Sequence, residues 1–174
     1  MIPIAALLLL AAPPRSAAVA EREARAIVAA ADREADRIVA RMEALDRAEA
    51  LAAANQLLGR LTGKDPAAMR ALTVPEGGAT AVAMGKDGKQ TVRHFSWADF
   101  FAHLPKDKPI VEEHMRDPLV RVDGDVAMVW GRYEVTVDGK FLHCGTDHFD
   151  LVRVEGKWRI LNITWNQVTE GCGR

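Results

Sequence analysis

From Glu112 to Thr169 the chain consists of four long β-type runs separated only by Asp123-Gly124, Asp138-Gly139 and Glu155-Gly156. Each pair puts glycine in a tight turn, and Asp-Gly between alternating apolar residues is among the strongest short-range hairpin signals. The runs are Glu112–Val122, interrupted in its pairing by Pro118, then Asp125–Val137, Lys140–Val154 and Lys157–Thr169. Strands joined this closely must be antiparallel, because a parallel crossover needs a dozen or more residues. The result is a four-stranded meander, and helices earlier in the chain must cover one of its faces.

Those helices are written in the spacing of apolar residues. Ile27, Ala31, Ala35, Ile38, Met42, Leu45, Ala48, Leu51, Leu58 and Leu61 recur at three- and four-residue intervals, predicting helix over 21–62 with Gly59 as the first interruption. The stripe is mostly alanine before Leu45 and bulkier after it. The segment therefore divides into an added, charged helix, 21–44, and the first helix of a domain spanning 45–172. Alanine at so many seam positions makes a coiled-coil dimer through the first part weak. Gly63 and Asp65-Pro66 close the helix, and a short one follows over Pro66–Leu72. A strand pair is predicted from Ala79–Met84 and Gln90–Phe95. Ser96 then caps a helix, Trp97–Leu104, that sets Trp97, Phe100, Phe101 and Leu104 on one face.

Ahead of all this, Ile2–Ala12 is apolar and is followed by small residues at Ala18 and Ala20. That pattern predicts a signal peptide over residues 1–20, although no Lys or Arg precedes the run; the alternative is a start at Met42. The run falls well short of the ~20 residues that cross a bilayer, so no permanent membrane span is expected. The expected location is periplasmic or secreted. A formal charge of −1 gives no electrostatic case for nucleic acid or an anionic membrane.

The tight turns also set a register. Val137 opposite Lys140 places Glu134 against His143, Arg132 against Gly145 and Trp130 against Asp147. Val154 opposite Lys157 places Asp147 against Thr164 and Phe149 against Asn162. On this register Arg132, Glu134, His143 and Asp147 share one face with Phe149, Leu151, Trp158 and Ile160. The other face carries Val129, Tyr133, Val135, Cys144, His148, Ile163 and Trp165. A bulge near Gly145 or Gly131 would reverse the assignments beyond it. Both faces bear large apolar groups, which predicts that both are covered: one by helices and a pocket, the other by a second subunit. Cys144 falls opposite Gln167, and Val168–Gly171 leaves enough chain for the tail to turn back. In an oxidising compartment the only two cysteines, Cys144 and Cys172, are then expected to form a disulfide; the alternative is a buried free Cys144 and a frayed tail.

The run His143-Cys144-Gly145-Thr146-Asp147-His148 invites a metal reading, but strand geometry opposes it. His143 and Asp147 lie about 13 Å apart along one face at ~3.3 Å per residue, while Cys144 and His148 point the other way. No metal and no cofactor are expected. The candidate pocket residues are Trp130, Arg132, Tyr133, Glu134, His143, Asp147, His148 and Trp165. The competing explanation for Glu134, His143, Arg132 and Asp147 is a surface ion-pair lattice, and for His148 a hydrogen-bonded core histidine.

The order of elements, with S-W-A-D-F, D-P-L-V-R-V-D-G-D-V-A-M-V-W, F-L-H-C-G-T-D-H-F and G-K-W-R-I, resembles the nuclear transport factor 2-like superfamily. Within it, residues from about 45 to 172 are similar to bacterial proteins labelled putative lumazine-binding. The resemblance implies a cone-shaped α+β fold of cystatin-like type: a curved antiparallel sheet packed with helices, a deep pocket, and frequent dimerisation through the sheet. It also implies two function classes. One is an exported protein that binds a small, largely apolar molecule. The other is a cofactor-independent isomerase, dehydratase or hydrolase of ketosteroid-isomerase-like type. No carboxylate base is evident on the helical side for the latter; Asp99 is the nearest, and its position points to water.

Overall fold

A computed structural model describes residues 16–62, 65–85, 87–169 and 171–172. The apolar run behind the leader reading lies outside the described residues. Nine elements follow in order: α1 (Ala17–Leu58), α2 (Pro66–Leu72), β1 (Thr73–Met84), β2 (Gln90–Ser96), α3 (Trp97–His103), β3 (Val111–Asp123), β4 (Val126–Val137), β5 (Lys140–Val154) and β6 (Lys157–Val168). The chain divides into two compact units between Met42 and Glu43, within α1. In the first, Ile27, Val28, Ile38 and Val39 are exposed, and i,i+4 and i,i+3 pairs such as Glu21–Arg25 and Glu34–Arg37 decorate the helix.

The second unit is a single six-stranded sheet in the order β2-β1-β6-β5-β4-β3. The C-terminal meander forms as the turns require, and Asp138 and Gly139 both take positive φ, at 49° and 74°. Strand β1 then inserts parallel to β6 and pairs antiparallel with β2. It begins at Thr73, earlier than the alternation at Ala79 suggests, because Thr73 already pairs with Ile160. Helix α1 stops at Leu58, before the predicted 62, and the chain tightens through Arg60 N–H to Leu57 O and Leu61 N–H to Leu58 O.

Ala50, Ala53, Ala54, Leu57 and Leu58 of α1 pack with Met69 of α2, Trp97 and Phe101 of α3, and Val129, Phe149, Leu151, Ile160 and Ile163 of the sheet. Arg153 pins the helix to the sheet, bonding Asp46 at 2.7 Å while its guanidinium lies 4.3 Å over the Trp158 ring. At the other end, Thr62 Oγ1 accepts from Val111 N–H at 3.0 Å, which fixes the start of β3 beside Leu61. Helix α3 is held by Ser96, whose Oγ accepts from Asp99 N–H and donates to Asp99 Oδ2, and by Trp97 Nε1, which donates to Leu161 O at 3.1 Å.

Three bulges set the faces of the sheet. Thr136 pairs with Phe141 but Val135 with His143, so Leu142 is extra on β5. Asp150 pairs with Asn162 but Leu151 with Ile160, so Leu161 is extra on β6. Arg116 pairs with Arg132 but Leu119 with Trp130, which leaves an extra residue at Asp117-Pro118 on β3. Each bulge reverses side-chain parity beyond it. The expected pairs of Glu134 with His143, Arg132 with Gly145 and Trp130 with Asp147 are therefore replaced by Glu134–Cys144, Arg132–Thr146 and Trp130–His148. The expected Asp147–Thr164 and Phe149–Asn162 pairs become Asp147–Trp165 and Phe149–Ile163.

Candidate functional site

The corrected register divides the eight sequence-derived pocket residues into two groups. Tyr133, His143, Asp147 and Trp165 lie on the inner, helix-covered face with Phe149 and Ile163. Trp130, Arg132, Glu134 and His148 lie on the outer face. There the Trp130 and His148 rings sit 5.5 Å apart, and Glu134 bonds Arg116 at 2.6 Å rather than any histidine. Trp130, Arg132 and Glu134 line an outer hollow of about 440 Å³ that also reaches the Cys144–Cys172 bond. That disulfide has Cα atoms 5.7 Å apart, with Cys144 opposite Val168, one residue beyond the expected Gln167.

The inner face holds the chemistry. Tyr133 lies over Gly145, where a Cβ would come within 2.8 Å of its ring. With that space bare, Tyr133 Oη crosses β5 and donates to the Asn166 carbonyl at 3.0 Å. His143 Nδ1 is 3.3 Å from the same hydroxyl oxygen. Since the single phenolic proton goes to Asn166, Nδ1 must carry the hydrogen of the second bond, which leaves Nε2 as the bare ring nitrogen. Burial lowers the His143 pKa and so favours this neutral form. Burial, and then the charges of Glu113 and Asp147, push the Tyr133 phenol up, so it stays protonated.

Asp147 is almost wholly buried, at 1% exposure, and neither of its oxygens meets a donor among the described residues. What faces it is a second acid, Glu113 of β3, half-buried beyond Tyr133. Two carboxyls in a dry site cannot both ionise, so they share a proton. Burial, reinforced by Glu113's charge and hydrogen bond, pushes Asp147 up to about 10. Burial raises Glu113 to about 7, and the bond from Asp147 restrains the rise. At neutral pH the pair therefore still holds a proton.

The pair borders a small chamber of about 30 Å³, walled by Leu57, Leu58, Leu61, Phe100, Ile163 and Trp165. Phe100 and Trp165, with ring centroids 6.1 Å apart, are shared with a larger cleft of about 410 Å³ between α3 and the inner face of β1, β2 and β6. Ala81, Ala83, Phe95 and Leu104 make that cleft largely apolar, while Thr91, Arg93, His103 and Gln167 supply its polar groups. Asp99 is exposed and spent on capping α3, as its position suggested. No cluster of three or more His, Cys, Asp or Glu suited to a metal occurs among the described residues.

Glu113 was missed in the sequence, yet it left a signal. Val111, Glu113 and Met115 share one phase of β3, so the acid stands where the alternation calls for an apolar residue.

No curated protein sequence matches the chain. Among solved structures, Rv3472 of Mycobacterium tuberculosis, a protein of unknown function, aligns with a TM-score of 0.61 at 16% identity, covering 74% of this chain and 75% of that one. A nuclear transport factor 2-like protein with a cystatin-like fold from Novosphingobium aromaticivorans aligns at 0.57 and 18%, covering 78% and 90%. A nuclear transport factor 2 superfamily protein from Salmonella enterica aligns at 0.52 and 16%, covering 70% and 91%. Identities this low establish the fold alone. Residues 45–166 match the sequence family described as "Putative lumazine-binding", and the chain belongs to that family, on a nuclear transport factor 2-like fold.

Proposed function

We propose that the chain is an exported binding protein for a small, largely apolar molecule held in the cleft between α3 and strands β1, β2 and β6. The observation that carries this reading is the cleft itself. At about 410 Å³ it falls in the range of small-ligand sites, its lining is mainly apolar and aromatic, and it backs onto a buried acid pair. The family description points the same way. The leader-like N-terminus and the Cys144–Cys172 bond support export, and no helix among the described residues is long and apolar enough to cross a membrane. Residues 21–44 are then an added helix ahead of the domain. A homodimer would cover the outer face, where Leu119, Trp130, Phe141 and Leu142 are exposed.

Native mass spectrometry of protein taken from the periplasm tests the assignment. The expected result is a mature chain starting near Glu21, at twice the chain mass, with a small molecule that is lost on Trp165→Ala. A full-length cytoplasmic monomer that never carries a ligand would overturn it.

A second reading, a cofactor-independent isomerase, dehydratase or hydrolase, draws on one observation. Glu113 and Asp147 set two carboxyls, both raised by burial, on the wall of one small chamber, where they can take up and return a proton. Its mark would be a co-purifying molecule that differs between Asp147→Asn and the parent protein, in mass for a dehydration or hydrolysis and in chromatographic retention at equal mass for an isomerisation, substrate in one and product in the other.

A further inference from the structure

The acid pair has more acceptor capacity than the surrounding protein fills. Four carboxyl oxygens share one proton, and Asp147 meets no N–H or hydroxyl donor among the described residues. Two polar groups of the same face are already committed: the Tyr133 proton to the Asn166 carbonyl, and the His143 Nδ1 proton to Tyr133. The other walls bring no charge. Helix α1 contributes Leu57, Leu58 and Leu61, α3 contributes Phe100, and β6 contributes Ile163 and Trp165. A group that satisfies the pair must therefore come from outside the chain and must bring donors.

Size narrows the choice. A chamber of about 30 Å³ exceeds the ~10–15 Å³ needed by one water and excludes a ring or a guanidinium. We propose that it receives a primary ammonium head group, seated between Glu113 and Asp147, with its alkyl stem passing Phe100 and Trp165 into the cleft. This inference rests on the cleft being the ligand site. An ammonium is water-sized, carries three donors and no acceptor, and is stabilised against aromatic faces. Burying it requires a compensating anion, and the pair holding a single proton is that anion. The exchange is balanced: where both acids start protonated, one proton leaves to solvent as the ammonium enters; where the pair already holds only one, none leaves, and no bond of the ligand changes. At the mouth, Arg93 disfavours a second cation, so the rest of the ligand is uncharged or bears acceptors.

Calorimetry on the intact chain with n-butylamine and its neutral counterpart n-butanol tests the proposal at about pH 6 and about pH 8, in two buffers of different ionisation enthalpy. The amine stays charged at both, with a pKa near that of lysine, ~10.4. Butylamine should bind about tenfold more tightly at the higher pH and release up to about one proton, while butanol shows neither effect. Glu113→Gln should flatten the amine's pH dependence, and Asp147→Asn should weaken the amine at least tenfold relative to the alcohol. The wild-type proton release stands even where a variant fails to fold. Equal affinities for the two probes, with Trp165 fluorescence responding to both, would overturn the ammonium proposal and leave the cleft as a ligand site. Binding of neither probe would overturn both.

Discussion

On the outer face of the sheet, Arg116 meets Glu134 at 2.6 Å in contact with water, and His148 lies 3.5 Å from Asp150. On the inner face, Glu113 and Asp147 face one small chamber with no cation beside them among the described residues, and His143 meets the Tyr133 hydroxyl. The residue types are alike; the solvent is not. Outside, water screens each ion pair and makes it nearly dispensable. Inside, an acid that finds no cation keeps its proton, and its ionisation opposes the fold. The outer face is also held covalently, because the Cys144–Cys172 bond returns the tail to β5. A stabilising cross-link on one face and destabilising acids on the other predict opposite responses to substitution.

The largest effect should follow loss of the cross-link. The bond spans a sequence separation of 28, and closing such a loop stabilises the folded state by about 3–4 kcal/mol in the chain-entropy model. Cys172→Ser should lower the urea midpoint accordingly, and by the same amount at every pH below about 8, where the freed Cys144 thiol stays protonated. An unchanged midpoint would mean that the outer face does not depend on its tail.

The acid pair should act through pH. Its folded pKa values lie above those of the unfolded chain, so the native state binds more protons as pH rises above ~4. The pair's contribution is complete below that point and is lost as pH climbs through about 7 for Glu113 and about 10 for Asp147. The loss should be on the order of a few kcal/mol. His143 acts oppositely: its lowered pKa withdraws stability as pH falls below ~6.5. Urea unfolding at about pH 5.5 and about pH 9 should show the parent protein weaker at the higher value, and Glu113→Gln/Asp147→Asn nearly level between them. A parent protein equally stable at both would mean that the pair is wetter than its burial implies.

These faces were only partly legible in the sequence. The turns at Asp123-Gly124, Asp138-Gly139 and Glu155-Gly156 left no freedom in strand order within the meander, because glycine marks them chemically. The bulges at Leu142 and Leu161 carry no such mark. Each is one apolar residue within an apolar strand, and its effect is visible only once the partner strand is present. Counting straight from the turns therefore put Glu134 beside His143 and Tyr133 opposite Asp147's face, when Tyr133, His143 and Asp147 share one face. The Asp117-Pro118 bulge was signalled by proline, whereas the parallel insertion of β1 beside β6 depends on long-range pairing that no local pattern records. Asp147 stands out within its own strand, whereas its partner Glu113 does so only in the alternation of β3, where an acid occupies the phase of Val111 and Met115.

The smallest expected effect discriminates most sharply between the two registers. With Glu134 beside His143, removing the acid would take an anion from the imidazole and lower its pKa. In the bulged register Glu134 points outward to Arg116, and His143 points inward to Tyr133. Glu134→Ala should therefore leave the NMR titration of His143 unmoved, with a midpoint still below the ~6.5 of a free imidazole. Its cost in stability should stay under about 1 kcal/mol, because the Arg116 partner is largely exposed. Tyr133→Phe should do the reverse: it removes the hydroxyl that fixes Nδ1, so the His143 titration shifts although no charge has changed. If Glu134→Ala moves His143 and Tyr133→Phe does not, Leu142 is not bulged, and the division between the two faces fails with it.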